Sequence, residues 1–373
     1  MSYDYNDNAK VYYSGKYWND YPECLSIINT RLFGKDINWT DFLLKNNLKF
    51  NNALILNSGN GWVERDLYDK GIIKSADCVE YNQDLINESN TKKEDRNLNY
   101  IQHDINTVEF ESEKFDLVLN FAAGHHIRYI EKVFINIRKW MKLDAYFIHN
   151  DYIGPQRNQY TKQQWLNMNN MNNTLSIKFR KQLGYPDVIQ MMIDDPTEAI
   201  NPQRIIPLLN DLFNIEYHTK SGGSLAYEIL THNDKLFNSN VEERTEIVNY
   251  LMKKDEEYMN KTGESFFHFI MCRKNIELDE DIINKNINMM NNREKLADKS
   301  YGHYCYNLLN HNDLILCNEH NSYGKSFFVH GFSQIESNGR WSIGDKSIIR
   351  FKYNSKGNDK LIIKCNTLPN YVL

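Results

Sequence analysis

Short apolar runs alternate with amphipathic stretches over residues 53–149, and this pattern constrains the fold more than any other feature of the chain. The runs have the length of β-strands, whereas the stretches between them place apolar residues at helical spacing. Strands that alternate with helices form βαβ units, which build a parallel sheet covered by helices on both faces. The sequence therefore predicts an α/β domain. We interpret as strands residues 53–56, 76–79, 100–102, 115–120 and 146–149, with helices over 62–70, 82–90 and 127–141.

Further elements are predicted on both sides of this region. Residues 1–50 have apolar residues at helical spacing and are expected to form a helical N-terminal lead-in, with helices over 22–33 and 39–48. Residues 155–210 are expected to be mostly helical, and edge strands that extend the sheet in antiparallel fashion should follow. On this pattern the α/β domain covers residues 51–274. The later elements are predicted strands over 213–218, 226–230 and 266–272, and a charged helix over 241–260.

The C-terminal part of the chain changes character twice. Residues 275–300 are polar and rich in asparagine, which indicates a linker with helical potential. Residues 301–373 contain short strand-like runs separated by Gly, Asn and Asp, and they predict a small β-rich module. The chain ends on an apolar residue without an obvious closing strand. We therefore expect that this module is cut short and that further domains of a longer chain follow.

The overall charge argues against a nucleic-acid partner. The 373 residues include 44 Lys and Arg against 49 Asp and Glu, a net charge of −5, whereas proteins that neutralise a phosphate backbone carry a surplus of cations. The N-terminus lacks the apolar run of a signal peptide, and no stretch is apolar enough for a membrane span. The six cysteines include no C-x-x-C pair. A cytoplasmic protein with reduced cysteines is expected.

A glycine turn follows the first predicted strand. In A-L-I-L-N-S-G-N-G-W, Gly59 and Gly61 allow the backbone to pass close to a ligand, and the next helix presents free N–H groups. Glu80 ends the second strand about 20 residues on, where an acid can accept hydrogen bonds from both ribose hydroxyls of an adenosine cofactor. The third glycine of a dinucleotide site is replaced by Glu64, a bulky acid. A cofactor without phosphates is therefore favoured.

Two further strand ends belong to the same predicted site. Asp104 in Y-I-Q-H-D-I follows the third strand, where its carboxylate can accept a hydrogen bond from the adenine amino group while Ile105 packs on the ring. Asn120 ends the fourth strand. Because the carboxyl ends of parallel strands meet at one edge of a sheet, we expect these side chains at the same edge as the glycine turn.

These motifs resemble those of the class I S-adenosylmethionine-dependent methyltransferases. The resemblance rests on I-L-N-S-G-N-G, V-E-Y-N, Q-H-D-I and F-D-L-V-L-N-F-A-A-G-H-H-I, and it covers about residues 50–150. It implies a Rossmann-like fold and S-adenosylmethionine as cofactor. In that family the glycine loop holds the methionine part, the acid after the second strand binds the ribose, and the acid after the third contacts the adenine. The predicted cofactor residues are Asn57, Ser58, Gly59, Asn60, Gly61, Glu80, Asp104, Ile105 and Asn120.

Weaker resemblances concern the acceptor. H-N-D-Y-I-G-P-Q-R-N-Q-Y at 149–160, D-D-P-T-E-A-I at 194–200 and G-G-S-L at 222–225 look like a subgroup found in bacterial surface-polysaccharide gene clusters. They imply a sugar or glycan acceptor. The next segment of the chain would cover the cofactor cleft. The side chains that we predict there as contacts of the acceptor are Tyr152, Arg157, Tyr185, Glu198 and Arg204.

Methyl transfer to an alcohol needs a base, because the hydroxyl must lose its proton as the oxygen attacks the methyl carbon. His125 and His126 follow the fourth strand, and a neutral imidazole is a suitable base. His126 is the first candidate and His125 the second, and at least one of the pair is expected to be structural. Asp151, after the fifth strand, orients the histidine, acts as the base itself or caps a turn. No clustered ligand set in the sequence indicates a metal.

Taken with the resemblance, these residues predict an S-adenosylmethionine-dependent O-methyltransferase that acts on a sugar hydroxyl of a surface glycan or its precursor. Two alternatives stay open. A nicotinamide-dependent oxidoreductase would share the glycine turn, although Glu64 argues against it. A non-catalytic binding or scaffold protein with a vestigial fold is compatible with Asn57, which replaces the acid that the family has at the end of its first strand.

Overall fold

The computed structural model describes residues 16–299 and, beyond them, residues 308–309, 328–330, 348–349 and 352–353. Contacts divide the chain into two units, Met1–Cys305 and Tyr306–Leu373. No helix among the described residues is both long and apolar enough to cross a membrane.

A mainly parallel sheet forms the centre of the first unit. Its strands are β1 Ala53–Leu56, β2 Ala76–Glu80, β3 Leu98–Gln102, β4 Phe115–Phe121, β5 Met141–Tyr152, β6 Phe213–Gly222 and β7 Phe267–Lys274. They lie in the order β3-β2-β1-β4-β5-β7-β6. Strands β1 to β5 run parallel, and β7 pairs antiparallel with both β5 and β6. The predicted α/β fold with an antiparallel edge is confirmed.

Helices pack around this sheet through apolar faces. On the helix that follows β4, Ile130, Phe134 and Ile137 are fully buried, at the spacing that brings side chains to one face. The helices are α1 Pro22–Phe33, α2 Trp39–Lys45, α3 Trp62–Asp69, α4 Gln83–Lys92, α5 Ile130–Trp140, α6 Lys162–Asn173, α7 Val188–Asp194, α8 Pro202–Leu212, α9 Ala226–Leu230, α10 Asp234–Phe237, α11 Val241–Thr262 and α12 Glu280–Lys299. Three-residue 3₁₀ turns lie at Trp18–Asp20, Gly124–His126 and Gln156–Asn158.

The prediction of a strand over residues 226–230 is wrong, because this segment is the short helix α9. The buried carboxylate of Asp255 accepts hydrogen bonds from the backbone N–H groups of Leu225 at 2.8 Å and Ala226 at 3.2 Å. These are the donors that the start of a helix leaves unpaired. An acid from α11 therefore decides the conformation of an apolar run that is too short for periodicity to distinguish helix from strand.

The segment expected to be a linker forms α12, which packs against α5 and α8. Arg293 donates to both carboxylate oxygens of the fully buried Glu131, at 2.6 and 2.9 Å, and Arg204 on α8 donates to the same carboxylate at 2.9 Å. Asn286 is also fully buried and donates to Asp211 at 3.0 Å. Residues 280–299 thus belong to the packing of the first unit.

The β-rich module expected over residues 301–373 lies mostly outside the described residues. The four strands that are described there are β8 Leu308–Leu309, β9 Phe328–His330, β10 Ile348–Ile349 and β11 Lys352–Tyr353. Strands β9 and β10 pair antiparallel, and β8 and β11 pair parallel.

Candidate active site

The glycine turn lies at the carboxyl end of β1, between that strand and α3. Backbone φ is positive at Asn57, Gly59 and Gly61, at 46°, 58° and 77°. A Cβ on Gly61 would lie 2.5 Å from the Tyr100 hydroxyl and 2.7 Å from Nη1 of Arg65. Glycine is therefore required at position 61 both by the backbone conformation and by packing.

Ser58 and Asn60 belong to the same turn. The Ser58 hydroxyl is buried and has no hydrogen-bond partner among the described residues. Since buried polar groups are normally paired, a polar atom of a bound cofactor would complete this site. The backbone carbonyl of Asn60 accepts a hydrogen bond from Arg65 at 2.8 Å, which fixes the turn to the first residues of α3.

Glu80 joins the turn to the end of β2. Its Oε2 accepts a hydrogen bond from the Gly59 backbone N–H at 2.8 Å, and its Oε1 accepts one from the Asn82 backbone N–H at 2.9 Å. Burial raises the pKa of this carboxyl, and the backbone donors offset part of that effect. A carboxylate has about four acceptor positions. The positions that backbone N–H groups do not occupy can accept a hydrogen bond from a ribose hydroxyl, the role predicted for Glu80.

The residues after β3 are divided between the surface and the core. One carboxylate oxygen of Asp104, Oδ1, accepts hydrogen bonds from the backbone and the side chain of Asn106, both at 2.8 Å. Ile105 is buried in the main core with Val108 and Phe115. The contact of Ile105 with an adenine ring stays a prediction.

Five hydrogen bonds converge on the buried carboxylate of Asp151, near the end of β5. Burial alone would raise its pKa, but His125 and Asn120 lower the pKa well below the usual range of an aspartate. Asp151 therefore orients His125 and caps the turn Gly124–His126, and its filled acceptor positions argue against a role as the base. The donors are Asn120 Nδ2, His125 Nδ1 and the backbone N–H groups of Gly124, His125 and Tyr152, at 2.5 to 3.2 Å.

Asn120 belongs to this network through its amide nitrogen, and its predicted contact with the cofactor stays a prediction. Its fully buried amide donates to Asp151 and to Nδ1 of His149, both at 2.8 Å. Sequence reasoning missed His149, which is also fully buried and whose pKa burial lowers to about 4. The available signal was its position two residues before Asp151, because residues i and i+2 of a strand point to the same face.

His125 and His126 lie next to each other, with 4.2 Å between their ring centroids. Nδ1 of His125 is 2.5 Å from Oδ1 of Asp151, and Nδ1 of His126 is 3.1 Å from the Thr197 hydroxyl. Burial would lower the pKa of His125, but Asp151 and Glu198 raise it well above 6.5. Burial and the neighbouring His125 lower the pKa of His126. Although the two residues are adjacent in sequence, His125 favours the protonated form and His126 favours the neutral form.

The histidines lie beside the glycine turn. Strands β1 and β4 are parallel neighbours that pair Leu56 with Asn120, so that their carboxyl ends meet at one edge. The amide of Asn57 is 3.4 Å from the backbone carbonyl of Ala123, directly before the turn that carries both histidines. The predicted cofactor and acceptor sites are thus contiguous.

Glu198 faces both histidines from the loop between α7 and α8. Its Oε2 is 3.8 Å from Nε2 of His125 and 3.6 Å from Nε2 of His126. Burial would raise its pKa, but His125, His126 and Arg157 lower the pKa to about 2. Glu198 was predicted as a substrate contact, and the structure brings it to the candidate bases.

Arg157 supports the loop that carries Glu198. Its guanidinium is buried and donates to the backbone carbonyls of Glu198 at 2.9 Å and Pro196 at 2.7 Å. Its own backbone N–H donates to the carbonyl of Ala199 at 2.7 Å. Asp195 holds the same loop by accepting hydrogen bonds from Thr197 at 2.6 and 2.8 Å. Arg157 is therefore a positioning residue rather than the substrate contact that was predicted.

The other three predicted substrate contacts also have structural roles. Tyr152 is buried and donates to the carbonyl of Pro155 at 3.1 Å, and the buried Tyr185 donates to the carbonyl of Tyr160 at 2.6 Å. Arg204 binds Glu131, in the packing of α8 against α5 and α12. Their hydrogen bonds stabilise the segments around the site.

Comparison with known proteins identifies the domain. Residues 54–149 match the model of a methyltransferase domain family, whereas a comparison with curated proteins gives no match. Similar solved structures include an S-adenosylmethionine-dependent methyltransferase from Mesorhizobium loti, at 12% identity and a TM-score of 0.38, over 61% of this chain and 91% of that one. Another is Haemonchus contortus phosphoethanolamine N-methyltransferase 2, bound to phosphomonomethylethanolamine and S-adenosylhomocysteine, at 14% identity and a TM-score of 0.42, over 74% of this chain and 61% of that one.

The domain match covers the elements that form the cofactor side of the site. Residues 54–149 span β1 to β4, most of β5, the glycine turn, Glu80 and both histidines. The match favours the predicted methyltransferase over the nicotinamide-dependent alternative. Residues 54–149 thus form a methyltransferase domain.

Proposed function

We propose that the protein transfers the methyl group of S-adenosylmethionine to a sugar hydroxyl of a surface glycan or its precursor, with His125 as the proton acceptor. The observation that carries the proposal is the 2.5 Å contact between Nδ1 of His125 and Oδ1 of the buried Asp151. It fixes the ring with Nε2 towards Glu198, whose side chain is 32% exposed. A carboxylate behind an imidazole stabilises the imidazolium that forms when the ring takes a proton.

The reaction is a direct displacement. The acceptor oxygen forms a bond to the methyl carbon, and the carbon–sulfur bond breaks with its electron pair going to sulfur. The hydroxyl proton passes to Nε2 of His125 and from there to water, and S-adenosylhomocysteine leaves. The negative charges of Asp151 and Glu198 raise the pKa of His125 and make the neutral ring a stronger base. The protonated ring must lose its own proton before it can accept one from the hydroxyl, so methyl transfer should become faster as the pH rises.

A sugar acceptor is supported by the segments that build this part of the site. Residues 149–160 and 194–200 resemble the surface-polysaccharide subgroup, and they supply Asp151, Arg157 and Glu198. The side chains of Asp195 and Glu198 are 37% and 32% exposed, and carboxylates are good acceptors for sugar hydroxyls. The cytoplasmic location expected from the sequence stays a prediction.

The test compares glycans from cells with and without the gene by mass spectrometry. Loss of the mass of one methylene group from a sugar residue is expected when the gene is deleted. Purified protein with S-adenosylmethionine labelled in the methyl group should restore the label on the unmethylated glycan. Transfer of the label to an amine or a protein side chain, with no change in any sugar, would show that the acceptor is wrongly assigned.

A further inference from the structure

Three potential metal-ligand atoms converge at the histidine turn. His125, His126 and Glu198 each offer one ligand atom, and these three atoms lie within 4.8 Å of one another. Oε2 of Glu198 faces Nε2 of both histidines. The two nitrogen–oxygen distances, 3.8 and 3.6 Å, are too long for hydrogen bonds. Ligands about 2.0–2.2 Å from one zinc ion lie roughly 3.0–3.6 Å apart, so each histidine nitrogen is within a few tenths of an ångström of the distance from Glu198 that a shared ion requires.

Each imidazole is held through its other nitrogen. Nδ1 of His125 binds Asp151 at 2.5 Å, and Nδ1 of His126 binds the Thr197 hydroxyl at 3.1 Å, with Asp195 at 3.7 Å. Histidines that bind metals are nearly always fixed in this way by an outer carboxylate or another acceptor, which leaves the second nitrogen to the ion. The cluster therefore has an outer shell as well as three ligands.

The third ligand is positioned independently of the histidines. The Arg157 guanidinium binds the carbonyls of Glu198 and Pro196 and so fixes the loop by its backbone. The Glu198 carboxylate is left to face the two rings. The side chains of His126 and Glu198 are 25% and 32% exposed, so that an ion from solution can reach them.

We propose that His125, His126 and Glu198 bind a divalent first-row transition-metal ion. Two imidazoles and one carboxylate suit Zn²⁺ or Fe²⁺, whereas Mg²⁺ and Ca²⁺ prefer sites made of oxygen ligands. Three protein ligands leave coordination positions open, as in catalytic rather than structural metal sites.

The role of the ion, unlike its binding, rests on the proposed function. An acceptor oxygen that occupies an open position would have its hydroxyl pKa lowered by the metal. In the loaded protein His125 is then a ligand, and the hydroxyl proton passes to water instead of to the ring. The bonds formed and broken at the methyl carbon stay the same.

The test is titration of Zn²⁺ into the metal-free full-length protein by calorimetry, with bound Co²⁺ observed by visible absorption as a second readout. One ion per chain is expected. Glu198→Gln and His126→Ala should weaken binding by more than the roughly 10–100-fold that loss of an outer-shell partner costs, and Asp151→Asn should weaken it within that range. Thermal melting and S-adenosylhomocysteine binding establish that each variant is folded.

His218→Ala is the matched control. His218 and His268 form a second pair, in which Nε2 and Nδ1 are bonded to each other at 2.8 Å, so this variant should bind the ion like the wild type. Equal affinity in the wild type and Glu198→Gln, or equal loss in His218→Ala, would overturn the site. Methyl transfer that survives removal of Zn²⁺ by a chelator would overturn the role of the ion and leave the proposed function standing. A bound ion without any methylated sugar would refute the proposed function alone.

Discussion

Oε2 of Glu80 accepts a hydrogen bond from the backbone N–H of Gly59 at 2.8 Å, so the acid that ends β2 also shapes the turn that ends β1. This carboxylate thus fixes the glycine turn and, in the role predicted for it, also binds the ribose. Both contributions to cofactor binding disappear together when the carboxylate is removed.

Glu80→Ala should therefore weaken S-adenosylhomocysteine binding by about 1.5–3 kcal/mol, the range for hydrogen bonds to a charged group. Isothermal titration calorimetry measures this loss. Glu88→Ala on α4 is the control, since Glu88 is 39% exposed and pairs with Lys92 on the same helix. Unchanged affinity in Glu80→Ala would remove Glu80 from the cofactor site.

His125→Ala should reduce the rate of methyl transfer by roughly 10²–10⁴, the usual contribution of a positioned base. Affinity for S-adenosylhomocysteine should stay within a factor of about two, because the glycine turn and Glu80 do not depend on this ring. His218→Ala should retain the rate. A parallel loss of cofactor affinity and thermal stability in His125→Ala would indicate a structural histidine.

Arg157→Ala should separate positioning from cofactor binding. Removing two hydrogen bonds from a buried guanidinium should cost at least about 1.5 kcal/mol of unfolding free energy. The loop that carries Glu198 would then be released, so methyl transfer should fall while S-adenosylhomocysteine still binds. Denaturant unfolding and calorimetry give the two quantities. A variant with normal turnover would show that the loop is positioned by other contacts.

Glu64 makes stability depend on pH. It is fully buried on α3, and burial raises its pKa from 4.5 to about 7, although its backbone and Tyr100 offset part of this effect. The folded protein holds the proton more tightly, so the stabilisation is complete below about pH 4.5 and is lost as the pH rises through 7. Glu64→Gln should exceed the wild type by about 2–3 kcal/mol at pH 8 and lose this advantage below pH 5. Equal unfolding free energies at pH 8 would contradict the prediction.

Truncation should show where the methyltransferase unit ends. A chain that ends at residue 305 keeps α12 and should bind S-adenosylhomocysteine like the full chain. A chain that ends at residue 275 loses Arg293 and leaves the buried Glu131 with only part of its compensating charge. This shorter chain should unfold at lower denaturant concentration. Loss of binding in a folded chain that ends at residue 305 would disprove the proposed division.

The sequence by itself determined the sheet and the position of the glycine turn and Glu80 at its carboxyl edge. The apolar runs and the helical spacing between them are local patterns, and each can be recognised within a short window of the sequence. The glycine turn and Glu80 follow from the same patterns, since parallel strands must bring their carboxyl ends to one edge. Their relation could therefore be predicted without any long-range contact.

Only the tertiary structure decided the acceptor side. Asp151 was compatible with three roles, and its five donors from β4, the histidine turn and β5 leave it as the residue that orients His125. Likewise Glu198 reaches His125 and His126 because the buried Arg157 binds the backbone of its loop. Such contacts depend on the packing of segments far apart in the chain. A local sequence pattern therefore does not predict which carboxylate will face which histidine ring.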